Sequence, residues 1–147
     1  MSSHPQTPRA TLAHSGMTSN CFIASKSLWI VDSSTTDHMT GNKSILSGLS
    51  TTSQPPVQIA NGFICNIKGI GSTQISQNMP ISSILYVSSF PENLLSISKI
   101  TEQLSCSVTF TPTKCTFQEL GMNRLIGTAY KEKGLYCMES YLSKVRT

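Results

Sequence analysis

Leu28-Trp29-Ile30-Val31-Asp32-Ser33-Ser34-Thr35-Thr36-Asp37-His38-Met39-Thr40 is an apolar run that stops at a carboxylate and gives way to small hydroxyl residues. The apolar residues before Asp32, with β-branched Ile30 and Val31 among them, predict a buried strand, and Asp-Ser-Ser predicts a tight turn at its end. An aspartate is thereby placed at the mouth of a β-core. There, desolvation and a neighbouring charge can bring a carboxyl group into use as an acid or base. On local sequence alone the ordinary alternative stands beside it, because Asp-Ser pairs also close turns by bonding their own backbone.

Working outward, residues 1–26 are rich in Ser, Thr, His and Pro without apolar periodicity, and read as a disordered leader. One domain is expected over residues 27–139. Gly41 to Pro56 is polar and turn-rich, a long connection. Val57 to Ala60, Asn61-Gly62 and Phe63 to Ile70 predict a hairpin, since Asn-Gly suits a turn needing positive φ. Gly69 and Gly71 flank Ile70 and mark a bulge or close strand packing rather than a phosphate loop, which needs a following helix and a lysine. Ile81 to Val87 reads as a buried strand. After Pro91 the period changes: Ile97, Ile100, Thr101 and Leu104 share a helical face, predicting one short helix over Asn93–Leu104. Ser107 to Phe110, Cys115 to Gln118 and Arg124 to Thr128 read as further strands. The order is all-β with a single short helix, as in a small barrel.

Composition agrees with one domain: 147 residues suffice for one core, and a hydrophobic content of 38% is modest enough to suit a subunit that buries surface against a partner. The net charge of +4 is spread thinly, with no Lys/Arg cluster or interleaved aromatic residues to mark a nucleic-acid groove, so no direct nucleic-acid binding is expected. No apolar run approaches the roughly twenty residues of a membrane span. Cys21, Cys65, Cys106, Cys115 and Cys137 are odd in number and far apart, without zinc spacing, and no apolar signal segment opens the chain. A reducing, cytoplasmic setting is the expectation, with no cofactor and no metal. Asp32, Asp37 and His38 with Ser33 or Ser34 could be imagined as a metal or Ser/His/Asp site. Such sites draw on distant segments, however, and the other histidines, His4 and His14, fall in the leader. His38-Met39 is better read as packing and hydrogen bonding beneath the Asp32 loop, and Trp29 as core.

The longer string resembles the protease segment of copia-type LTR retrotransposon Pol polyproteins, a transposon TNT-like Pol β-barrel region. Its pattern is Trp-apolar-apolar-Asp-Ser-Gly-Ala-Ser/Thr-x-His-Met-Thr. Trp29 to Ser33, Asp37 at the variable position, and His38-Met39-Thr40 match in order and spacing. Val57 to Gly62, Ile67 to Gly71, Ile84 to Val87 with Asn93 to Ser98, and Gly134-Leu135-Tyr136 resemble its later blocks. The last of these resembles the entry to the pre-integrase region, so residues 140–147 are expected to be a tail leading there.

The resemblance implies a retropepsin-like β-barrel subunit with one Asp-Ser/Thr-Gly triplet, here Asp32, Ser33 and Ser34 as catalytic candidates. Such a subunit pairs with itself as a homodimer and processes peptide segments of the Gag-Pol polyprotein. Two aspartates are needed because one carboxylate, ionised, draws a proton from the attacking water while the other, protonated, hydrogen-bonds the scissile carbonyl. The departure is Ser34, where the family has glycine. A glycine lets the backbone pass close behind the carboxylate with its amide free to bond the acid, and a Cβ there is expected to disturb that loop. The alternative reading is a non-catalytic β-barrel module, a decayed or host-retained retrotransposon Pol fragment.

Overall fold

The computed structural model describes residues 28–59 and 62–139. The expected leader and tail lie outside the described residues. In chain order the strands are β1 (Leu28–Asp32), β2 (Met39–Thr40), β3 (Ser47–Ser50), β4 (Val57–Gln58), β5 (Ile64–Cys65), β6 (Gly69–Ser76), β7 (Met79–Tyr86) and β8 (Asn93–Ser96). Helix α1 (Ile97–Leu104) follows, then β9 (Cys106–Phe110), β10 (Lys114–Glu119), β11 (Leu125–Glu132) and β12 (Leu135–Glu139). β4 and β5 form a separate two-stranded ribbon, and the other strands join one ten-stranded sheet in the order β3-β6-β7-β2-β8-β1-β12-β11-β10-β9.

β1 lies inside that sheet, parallel to β8 and antiparallel to β12. Its side chains alternate between two apolar clusters. Trp29 and Val31 join Ile84, Leu95, Ile100 and Phe117 on one side, while Leu28 and Ile30 join Met39, Leu85 and Leu94 on the other. Burial on both faces is why the run reads as unbroken apolar sequence rather than as an alternating strand. Trp29 is fully buried, as its place before the carboxylate predicts, and emptying such a site costs about 3–5 kcal/mol. The sheet curls back on itself where the Ser76 hydroxyl at the end of β6 donates to the carbonyl of Ile126 in β11, at 2.8 Å. The architecture is a small, mostly β barrel with one short helix.

Three sequence expectations change. Asn93–Ser96 is strand, not the first turn of the helix. The segment is fully buried and pairs with β1 on one side and β2 on the other, and Ser96, not Asn93, caps α1 by accepting from the Lys99 amide at 3.2 Å. The strand expected over Phe63 to Ile70 divides into β5 and the start of β6, so the Val57–Cys65 hairpin is short and the longer hairpin is β6–β7. The supposed connection after Gly41 contains β3, which packs on β6 where a Cβ at Gly69 would meet the Ser50 carbonyl oxygen at 2.8 Å. Close strand packing is thus what Gly69 serves.

Candidate functional site

One surface cleft, lined by Ser47, Thr73, Gln74, Ser82 and Gln103 among others, holds no titratable side chain. Another, about 200 Å³, holds Asp32 and Ser33. Its remaining walls are mainly apolar: Ile30 and Val31 from β1, Ile97 from α1, Phe110 from β9, and Leu135 with Tyr136 from β12. Tyr136 is braced by donating to the Thr111 carbonyl at 2.8 Å and by edge contact with Phe110 at 5.2 Å between ring centres. The cleft brings together segments about a hundred residues apart because Leu28 pairs with Glu139 and Val31 with Tyr136.

Asp32 ends β1, opposite Ser96 of β8. Among the described residues Ser34 supplies the hydrogen bonds to the Asp32 carboxylate: the amide donates to Oδ1 at 2.9 Å and the hydroxyl to the same oxygen at 2.7 Å. Oδ2 is shielded from solvent and receives no hydrogen bond from the described residues. Ser34 takes none of the positive-φ backbone that would call for glycine, and its amide is turned to the acid as a glycine's would be. The side chain expected to disturb the loop instead supplies a second donor. Ser33 is exposed and lines the cleft.

Beneath the loop lies a buried polar network built from the His38-Met39-Thr40 string. His38 Nδ1 accepts from the Ser96 amide at 3.0 Å, which leaves Nε2 to carry the proton toward Gln103 Oε1, 3.3 Å away. Burial, together with the nearby Lys99 cation, outweighs the Gln103 hydrogen bond and pulls the His38 pKa down to about 4, so the ring is neutral. Thr40 donates to Asn93 Oδ1 at 2.5 Å, and Asn93 Nδ2 donates to the Leu28 carbonyl at 3.0 Å. These bonds tie β2 and β8 to β1. Asp37 turns outward, facing Lys99 at 3.8 Å and accepting from Thr36. His38, Asp37 and Asp32 therefore do not converge, and among the described residues no cluster of three or more His, Cys, Asp or Glu could hold a metal.

Sequence reasoning placed Asp32, Ser33 and Ser34 together and His38 beneath them. It missed Phe110 and Ile97 as cleft walls and Ser96 and Gln103 as partners of His38. No short-range pattern marks those four, since Phe110 and Ser96 are placed by strand pairing and Ile97 and Gln103 by the packing of α1 against the sheet.

A family model described as Pol polyprotein, beta-barrel domain matches residues 29–104, just over half of the chain. No curated protein and no solved structure matches. The match spans β1 through α1, and so contains Asp32, Ser33, Ser34 and the His38 network, while β9 to β12 complete the same sheet beyond it.

Proposed function

This chain belongs to the family of Pol polyprotein β-barrel domains, and we propose that it is the aspartic-type endopeptidase of a copia-type retrotransposon polyprotein, working as a homodimer on Gag-Pol peptide segments. The observation that carries the proposal is the unequal treatment of the Asp32 oxygens. Oδ1 is anchored by both donors of Ser34, while Oδ2 receives no hydrogen bond from the described residues, and Asp32 borders an apolar cleft. One oxygen fixes the carboxyl plane, and Oδ2, shielded in the single chain, is uncovered as two copies meet so that it can share a proton with the second carboxylate.

A single aspartate per chain makes a two-fold dimer necessary, because symmetry then brings the same residue from both copies to one axis. Two carboxylates a hydrogen bond apart share one proton and titrate as a pair. The ionised one takes a proton from the water attacking the peptide carbonyl, and the protonated one donates to the carbonyl oxygen. The apolar side chains of Ile97, Phe110 and Leu135 beside Asp32 lower the local dielectric, which strengthens both interactions.

The test is peptide hydrolysis against pH, with sedimentation, for the parent and for Asp32→Asn. Acid-favoured cleavage by a dimer that Asp32→Asn abolishes is the expected result. Cleavage unchanged in Asp32→Asn, or dependent on added metal, overturns the proposal. A folded dimer that cleaves nothing favours the non-catalytic Pol module.

A further inference from the structure

We infer that His38 is a positioning residue for Asp32, acting through Ser96; the inference rests on Asp32 being the working carboxylate. His38 follows Asp32 by six positions and is fully buried, yet an apolar side chain would fill the same space beside Met39. What the imidazole adds is direction. Gln103 is clamped by both backbone groups of Ser82, donating to its carbonyl at 2.9 Å and accepting from its amide at 3.4 Å. Its Oε1 is thereby held facing the His38 ring, which fixes Nε2 as the protonated nitrogen and Nδ1 as the acceptor. That acceptor takes the Ser96 amide.

Ser96 is the residue where these restraints matter. It stands opposite Asp32 in the parallel β1–β8 pair, its hydroxyl caps α1, and Ile97 immediately after it walls the cleft. Ser96 is itself fully buried, so without the imidazole its amide is left with no water to replace the acceptor. The strand end can recover a partner only by moving, and Asp32 lies against that strand end. The ring must be neutral for this work, since a proton on Nδ1 would face the Ser96 N–H. The groups around it favour neutrality: Lys99 on α1 is the cation, paired with Asp37 of its own loop, while β7 and β8 present the uncharged Ser82 and Ser96.

Two variants separate the ring nitrogens. His38→Asn keeps an oxygen near the place of Nδ1 and so an acceptor for Ser96, whereas His38→Gln reaches toward Gln103 and leaves Ser96 without one. The readout is the Ser34 amide proton resonance, which reports the Asp32 carboxylate through its own hydrogen bond to Oδ1 and needs no cleavage by the protein. Both variants should lose thermal stability, as any core histidine substitution does. The Ser34 resonance should shift in His38→Gln and return to the parent position in His38→Asn. If the parent cleaves peptides, kcat should fall about 10–100-fold in His38→Gln with KM nearly unchanged, and recover in His38→Asn. Should His38→Gln fail to fold, acid titration of Asp32→Asn answers the same question, because the Ser34 amide should then follow the His38 ring protons with a shared midpoint. A Ser34 amide indifferent to folded His38→Gln, or to the His38 titration, overturns the positioning role while leaving the endopeptidase proposal standing. A parent that cleaves nothing overturns that proposal, and the Ser34 resonance still decides the role of His38.

Discussion

Ser34 gives both its amide and its hydroxyl to one oxygen of Asp32, at 2.9 and 2.7 Å. The hydroxyl draws charge from the carboxylate that must accept a proton, so its removal should raise peptide hydrolysis, by up to about tenfold for one charge-assisted hydrogen bond. Ser34→Ala and Ser34→Gly both remove it, and both leave the amide in place. Equal gains in kcat assign the effect to the hydroxyl. A gain confined to Ser34→Gly would mean that the Cβ displaces the loop after all.

His38 makes stability depend on pH with a definite sign. Its folded pKa is lowered from 6.5 to about 4, so between these values the unfolded chain binds a proton that the fold refuses. The stabilisation is fully present above the unfolded value and is lost as pH falls toward 4, amounting to about 3 kcal/mol. Urea unfolding at pH 7 and at pH 4 measures it. His38→Asn should show a fall smaller by about that amount, and an equal fall in both proteins would contradict the neutral, buried ring.

The strand ending at Asp32 was legible because burial on both faces demands unbroken apolar sequence, and Ile97, Ile100 and Leu104 betrayed the helix by their spacing. The start of that helix was not legible. Asn93 and Ser96 are both capping residue types, and only the fold shows that Asn93 spends its amide on Leu28 and Ser96 caps. The β6–β7 hairpin escaped notice because its turn, Gln77-Asn78, lacks glycine and its strands carry Thr73, Gln74, Ser76 and Pro80 among the apolar residues. At the site, a motif read along the chain locates Asp32, Ser34 and His38. The cleft wall from Leu135 and Tyr136 exists only once β12 has paired with β1.

Gly41, directly after the Thr40 that anchors β2, has no room for a side chain. A Cβ there would run into the Phe90 carbonyl oxygen, and Val87 O lies 3.1 Å away on the same side. Backbone cannot swing aside as a flexible side chain can, so Gly41→Ala should cost about 2–4 kcal/mol. Gly121→Ala is the control: φ is +90° there, but the space is open, and the expected cost is roughly 1 kcal/mol. Denaturant midpoints of the two variants decide it. Equal losses would remove the close approach of β2 to the Phe90 loop as the reason for Gly41.

Burial pushes the Cys115 thiol up to about 11, with Cys106 beside it adding to the shift, and the Cys106 thiol is raised by burial as well. At pH 8 only about one Cys115 side chain in a thousand is then thiolate, the form that attacks a thiol reagent. Cys65 is half-buried near the surface ribbon, where the Ser89 hydroxyl donates to its sulfur at 3.3 Å. In a Cys21→Ser background, timed labelling followed by peptide mass analysis should show Cys65 modified first. Cys115 and Cys106 should wait for unfolding, and their labelling rate should rise with urea in step with the loss of β-structure. Labelling of Cys115 in the folded protein as fast as that of Cys65 would mean that the β9–β10 side of the barrel opens on its own, and that the apolar cluster around Trp29 and Phe117 is looser than its burial implies.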